Sequence, residues 1–224
     1  MLSTAIMSST ASSHPTHTDL LDSFEGKRVI VYAGTLESYQ GIDILVGAFK
    51  SVVEACPDTI LLIVGGTEAQ VKDYSSLADQ CGISSCSIFT GRVPQSVAKS
   101  YASRADVQIS SRVSGTNTPL KVYEQLSRPI PLVATNIYSH TQVLNDDVAF
   151  LVEPQPQDMA RGIIAALDPN GAGQQKAANA QRLYEEKYSR TVYTDKMKNL
   201  LDYVLGSQSE KAGELWVEGT TSAS

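Results

Sequence analysis

Six short apolar runs, most of them followed by a stretch expected to be helical, limit what this chain can fold into more than any other feature. The runs are RVIVYAG, TILLIVGG, CSIFTG, ADVQISS, PLVAT and VAFLVEP. Most are apolar at consecutive positions rather than at alternate ones. A strand that is apolar on both faces needs cover on both faces, which is the condition of a central strand in a parallel sheet. After the first run, Ile42, Leu45, Val46, Phe49, Val52 and Val53 recur at helical spacing. A polar helix is expected over about 68–80, closed by Gly82, and another begins near Pro94. Strands alternating with helices predict an α/β fold, a doubly wound parallel sheet with right-handed crossovers. Beyond Pro156 the pattern turns helical, at about 158–167, 174–186 and 191–205. The expected organisation is a flexible lead-in over 1–26, one folded unit over 27–206 and a disordered tail over 207–224.

Composition removes several function classes. The chain has 224 residues, 42% hydrophobic, with a net charge of −6. No run of Lys and Arg is present, so the phosphate-neutralising signature of a nucleic-acid binder is missing. No apolar run approaches the length of a membrane span. The first 26 residues lack both a basic start and a continuous apolar segment, so they do not read as a secretion signal. The three cysteines (Cys56, Cys81 and Cys86) form no CxxC pair and have no histidine at ligand spacing, which fits reduced thiols in a cytoplasmic protein. No metal site is expected; Asp146–Asp147 reads as a turn. No cofactor is expected either.

Ligands of such sheets bind where strand ends feed the loops that enter the next helices. Those loops are GTLESYQG, GGTEA, GRVP, SSRVSGTNTP and TNIYSHTQ. None contains GxGxxG or GxxxxGK[ST], which argues against the dinucleotide and P-loop fingerprints. The most suggestive stretch is SGTNTPLKVYEQL, Ser114 to Leu126. It predicts a helix from Asn117 or Thr118 to Ser127, with Pro119 in the first turn and Asn117 or Thr118 as cap. Leu120, Val122, Tyr123 and Leu126 are expected to be buried, with Lys121, Glu124, Gln125 and Arg128 on the opposite side. Free amides at the helix start, with Gly115 allowing close approach, suit an anion such as phosphate. The same residues also suit an ordinary strand-to-helix connection, with Glu124 and Arg128 as a surface i,i+4 pair. His140, in the loop after the fifth run, has two readings as well: a sugar or phosphate contact, or a local turn role.

Taken together, these landmarks resemble the C-terminal, donor-binding domain of GT-B glycosyltransferases, and glycosyltransferase family 4 in particular. YAGTLESYQGIDILVGAF, LLIVGG, FTGRVP, ADVQISS and GTNTPLKVYEQLSRPIPLVATN keep the family's order over about residues 28–205. The resemblance implies a single Rossmann-like half-domain with a helical C-terminal extension, acting on a nucleotide-diphosphate sugar. It implies that Glu124, the second glutamate of an E-x7-E motif, binds the ribose hydroxyls. The diphosphate would lie against Gly115, Thr116, Asn117, Thr118, Leu120 and Lys121, with Gly34 and Thr35 opposite. Arg92 and Val93 would flank the base, and His140 would face the donor. No catalytic residue is assigned. Thr116 stands where the first glutamate of the motif belongs, and Thr35 and Gln40 stand where the family's diphosphate-clamping Arg and Lys belong. Pro129 replaces the glycine that ends the helix.

About 26 residues precede the first strand, whereas the family binds its acceptor on a preceding domain. The expectation is therefore a donor half whose acceptor domain or subunit is separate. The alternative is a non-catalytic α/β module that binds a nucleotide or a protein.

Overall fold

The computed structural model of the protein describes residue 20 and residues 24–218, with side chains through 205. Six strands form one parallel sheet: β1 Arg28–Ala33, β2 Thr59–Val64, β3 Ser87–Phe89, β4 Val107–Ser110, β5 Leu132–Thr135 and β6 Phe150–Val152. Their spatial order is β3-β2-β1-β4-β5-β6, and every pairing is parallel. The chain winds one way from β1 to β3 and then returns to start β4 beside β1. The direction of winding thus reverses between β1 and β4, where a doubly wound sheet opens a crevice.

The continuous apolar runs are explained by two covered faces. On one face, Ile30 and Tyr32 of β1 join Ile63, Val107 and Ile109 in a core. It is closed by α1 (Ile42–Ala55), α2 (Glu68–Cys81) and α6 (Pro156–Leu167). Ile42, Leu45, Val46, Phe49 and Val52 of α1 are completely buried there, each stabilising the fold by roughly 1.5–3 kcal/mol before entropy is counted. On the other face, Val29, Val31, Leu62 and Val64 pack with Phe24 and with Tyr101 of α3 (Gln95–Ser103). Farther along, Val122 and Leu126 of α4 (Leu120–Leu126) pack on Leu132, Ala134 and Ala180. Ala180 belongs to α7 (Gly173–Lys187). A short α5 (Tyr138–Thr141) follows β5, and α8 (Arg190–Glu218) ends the described chain.

Helix ends follow local chemistry. Thr67 and Gln70 form a reciprocal capping box at the start of α2, and Gly82, at φ 73°, closes it. Of the lead-in expected over 1–26, residues 1–19 and 21–23 lie outside the described residues, while Phe24 is buried. The expected start of the tail at 207 falls within the helical backbone of α8, and residues 219–224 lie outside the described residues. Among the described residues, no helix is long and apolar enough to cross a membrane.

Candidate functional site

Three adjoining cavities form a trough that starts between β4 and β1 and continues along the carboxyl ends of β1, β2 and β3. The first, about 100 Å³, lies between α3 and α4 and is lined by Ala33, Ala98, Lys121, Glu124 and Arg128 among others. The second, about 300 Å³, shares Ala33 and Ala98 with it and adds Gly34, Thr35, Arg92 and Val93. The third, about 560 Å³, shares Gly66 and Arg92 with the second and extends towards Thr67 and Thr90. Six of the expected residues thus come from two loops and one helix: Gly34 and Thr35 after β1, Arg92 and Val93 after β3, and Lys121 and Glu124 on α4.

Glycines let the loops meet. Gly65 has φ 120°, and a Cβ there would stand 2.0 Å from the Gly34 carbonyl oxygen. Gly41, at φ 65°, would place a Cβ 2.2 Å from the Ser111 carbonyl oxygen. The loop after β1 and the loop after β4 are therefore in backbone contact, and the hydrogen bonds say the same. Val113 N donates to Tyr39 O at 2.9 Å, and the Ser111 hydroxyl donates to Gln40 O at 2.8 Å.

Arg112 organises the loop before α4, a role that sequence reasoning missed. Its Nε donates to Ser114 O at 2.6 Å and its Nη1 to Asn117 O at 3.2 Å, so the loop curls around the guanidinium. The guanidinium also lies 5.2 Å from the centroid of the Tyr39 ring. A Cβ at Gly115 would stand 2.3 Å from Arg112 Nη2. Gln142 donates to Thr116 O at 2.6 Å, anchoring the loop to the segment after β5. The sequence held one signal for this: a cation three residues before a glycine in a strand-end loop.

The start of α4 differs from expectation. The helix begins at Leu120, not at Asn117 or Thr118, and Pro119 at φ −64°, ψ 135° is its cap residue without a side-chain hydrogen bond. The loop carbonyls are engaged by Arg112 and Gln142, so residues 114–118 form a loop bent at 116–117 rather than a helix entry. The expected burial is also corrected. Leu120 is 86% exposed, whereas Gln125 is buried and donates to Ile109 O at 3.0 Å. A helix advances about 100° per residue, which sets Leu120 roughly 160° from Val122, so the two cannot share the inner face.

Lys121 was expected on the exposed side; its Nζ is instead shut from water and has no hydrogen-bond partner. It lies 4.1 Å from the centroid of the Tyr32 ring. Burial, aided by repulsion from Arg112, brings its pKa down to about 7. Burial also raises the Tyr32 phenol above its usual range. The Tyr32 hydroxyl donates to Thr35 O at 2.7 Å, tying the ring to the glycine loop. Glu124 lines the first cavity and also pairs with Arg128 at 2.8 Å. Arg128 Nη1 in turn donates to Gln108 Oε1 at 3.3 Å.

His140 does not face the trough. It is fully buried, with Nε2 2.9 Å from Ser110 Oγ and Nδ1 2.9 Å from Thr135 O. It cross-links the ends of β4 and β5, and burial drives its pKa down to about 4. Among the described residues, no three His, Cys, Asp or Glu side chains group as a metal site.

Known proteins resemble this chain in sequence and in fold. Residues 16–186 match the family described as glycosyl transferases group 1. The phosphatidyl-myo-inositol mannosyltransferase of Mycobacterium tuberculosis is 27% identical over 190 residues, which cover 82% of this chain and 49% of that protein. A putative glycosyltransferase of Bacillus subtilis, YtcC, is 26% identical over 84% of this chain and 48% of its own length. The chain thus spans about half the length of the curated relatives it matches. Among solved structures, Anabaena Alr3699/HepE in complex with UDP superposes with a TM-score of 0.72 at 16% identity, over 85% of this chain and 54% of that one. Sucrose-phosphate synthase from Thermosynechococcus elongatus does so with a TM-score of 0.73 at 18% identity, over 85% and 49%. The six-stranded parallel sheet with its helical extension is one Rossmann-like half of a GT-B fold, and the chain belongs to the group 1 glycosyl transferases.

Proposed function

We propose that this chain is the donor-binding half of a sugar transferase, holding a nucleotide-diphosphate sugar in the trough between the ends of β1 and β4. The observation that carries the reading is the convergence of Gly34, Thr35, Arg92, Val93, Lys121 and Glu124 on adjoining cavities, the first of which lies at the reversal of winding. In this reading Glu124 accepts hydrogen bonds from the ribose hydroxyls, a task suited to a carboxylate with two oxygens. Arg92 and Val93 flank the base. The diphosphate lies between the Gly34–Thr35 turn and the loop Gly115–Leu120. Transfer breaks the bond between the anomeric carbon and the diphosphate oxygen and forms one to an acceptor hydroxyl, whose proton is released. The charge that grows on the departing diphosphate is stabilised electrostatically by the groups around it.

The acceptor is bound by another domain or subunit, because transfer needs both substrates held in near-attack geometry and this half supplies one wall of a cleft. The relatives, about twice as long as the matched region, support that division. A cytoplasmic setting is part of the proposal; the three unpaired thiols agree with it.

A thermal-shift and calorimetric panel of uridine, guanosine and adenosine diphosphates and their sugars tests the reading. Saturable binding of one base class is expected, extending into the millimolar range because Thr35 and Gln40 carry no charge. Absence of binding by every member would replace it with a protein-binding module.

A further inference from the structure

Resting on that donor site, we propose that Lys121 and Arg112 supply the positive charge for the donor diphosphate on this chain, and that donor binding places a proton on Lys121. The glycine loop offers no cation of its own. Thr35 and Gln40 are neutral; the Gln40 amide donates only a long 3.4 Å bond to Thr35 Oγ1, and its own Oε1 is buried without a partner. Positive charge must therefore come from other segments; Arg92 lines the cavity of Gly34 and Thr35, and Lys99 and Arg128 line the first cavity.

Lys121 and Arg112 are the cations that act on Tyr32, whose hydroxyl holds the glycine loop at Thr35. Lys121 reaches from the first turn of α4 to the Tyr32 ring, near the carboxyl end of β1, and Tyr32 is tied through its hydroxyl to Thr35. Its Nζ is buried without an acceptor. A buried ammonium without an anionic partner is costly, and contact with an aromatic face offsets only part of that cost. A phosphoryl oxygen entering beside Gly34 and Thr35 would supply the missing acceptor. Arg112 spends Nε and Nη1 on Ser114 O and Asn117 O, which fixes its fork, and its charge acts on both Lys121 and Tyr32. Its fixed charge compensates a second phosphate charge without a change of protonation.

The charged and titratable neighbours determine the proton balance. Arg112, from the loop after β4, opposes the charge on Lys121. Lys99 of α3 and Arg128 beyond α4 are cationic and line the same cavity, where Glu124 is the acidic group. Tyr32 of β1 and His140 of α5 are held neutral at pH 7, the first by a raised and the second by a lowered pKa. In the ligand-free protein Lys121 is thus poised to lose its proton around neutrality. A dianionic diphosphate favours the charged form, so binding above neutrality draws a proton from solution.

The test uses the full chain and uridine diphosphate glucose or guanosine diphosphate mannose, whose diphosphates carry no group titrating near pH 7. Calorimetry in two buffers of different ionisation enthalpy measures protons taken up per ligand bound. With Lys121 half-protonated near pH 7, uptake approaches roughly 0.9 proton at pH 8 and falls to roughly 0.1 at pH 6. Lys121→Met, which keeps the stem's volume, abolishes the uptake at pH 8 and weakens binding roughly ten- to a hundredfold. Binding by the parent chain at pH 8 without proton uptake overturns the proposal while leaving the donor reading intact. Equal affinity in Lys121→Met does the same. Should the variant not fold, the uptake measured on the parent decides alone. Failure of both sugars to bind at millimolar concentration removes the donor reading and this proposal together.

Discussion

Lys121 Nζ stands 4.1 Å above the Tyr32 ring, sealed from water and without a hydrogen-bond acceptor. Burial is the main cause of its depressed pKa, and Arg112 adds to it. The folded state therefore binds this proton less tightly than the unfolded chain, whose lysine titrates in the usual range near 10.5.

The first prediction is a stability dependence on pH. Because the folded pKa is lowered, the cost is fully present below about pH 7 and is relieved as pH rises towards 10.5. Lys121→Met removes the charge while keeping the apolar stem, so the variant should be the more stable protein at pH 7. The gain is on the order of 4 kcal/mol, from a shift of several pKa units at about 1.4 kcal/mol each. Denaturant titrations at pH 6, 7, 8.5 and 10 should show the gap between the two proteins closing as pH rises. A gap that stays constant, or a less stable variant, would show that the ammonium is better solvated than the geometry says.

His140 predicts the opposite end of the scale. Its pKa of about 4, set first by burial, means that neutral imidazole stabilises the fold above the unfolded value near 6.5. That contribution is lost as pH falls from about 6.5 to 4, by roughly 3 kcal/mol in total. His140→Ala also leaves Ser110 Oγ without its 2.9 Å partner and opens a void between β4 and β5. The variant should be destabilised at pH 7 by roughly 2–5 kcal/mol and should lose the acid-dependent step between pH 6.5 and 4. An unchanged acid transition would assign that step to other groups.

Gly41 offers a test of the contact between the two site loops. An alanine there meets φ 65°, which costs about 1–3 kcal/mol in backbone strain. Its Cβ would also stand 2.2 Å from the Ser111 carbonyl oxygen, and backbone cannot swing aside as a side chain can. Gly41→Ala should lower stability by more than the strain alone. Gly82→Ala, with a similar φ of 73° and nothing near its Cβ, should cost only the strain. Equal losses in the two variants would mean that the loops after β1 and β4 separate easily.

How much of this was legible in the sequence follows from where each residue's environment comes from. The strands were readable because a two-sided apolar run states its own burial: VQIS of β4 is buried at every position. The ends of α2 were readable because Thr67, Gln70 and Gly82 act within a few residues of themselves. Lys121, His140 and Arg112 were not, because their surroundings are built by distant segments. Tyr32 lies one strand away from Lys121, and the partners of His140 sit on two strands. Leu120 misled by being apolar: nothing in its type says that a seven-residue helix turns it to solvent. The groove itself needs the order of strands, since it crosses β1 between its neighbours β4 and β2, which no local pattern records.

The last prediction separates the two roles of Glu124. Its carboxylate pairs with Arg128 at 2.8 Å, yet its side chain is 47% exposed and lines the first cavity. As an i,i+4 surface pair it contributes about 0.3–0.5 kcal/mol, too little to move a melting transition far. As the acceptor for a ribose diol it contributes more, since losing hydrogen bonds to a charged group costs roughly 1.5–3 kcal/mol. Glu124→Ala should therefore weaken binding of the cognate nucleoside diphosphate by roughly ten- to a hundredfold while stability changes by under about 0.5 kcal/mol. Inorganic pyrophosphate, which has no ribose, should bind the parent and the variant alike. Arg128→Ala supplies the contrast: it breaks the same ion pair, frees Glu124 and leaves the carboxylate in the groove. Its binding should fall less than that of Glu124→Ala. If the two variants lose affinity equally, or if Glu124→Ala binds the nucleotide as well as its parent does, the carboxylate serves the surface pair and the ribose contact belongs elsewhere in the trough.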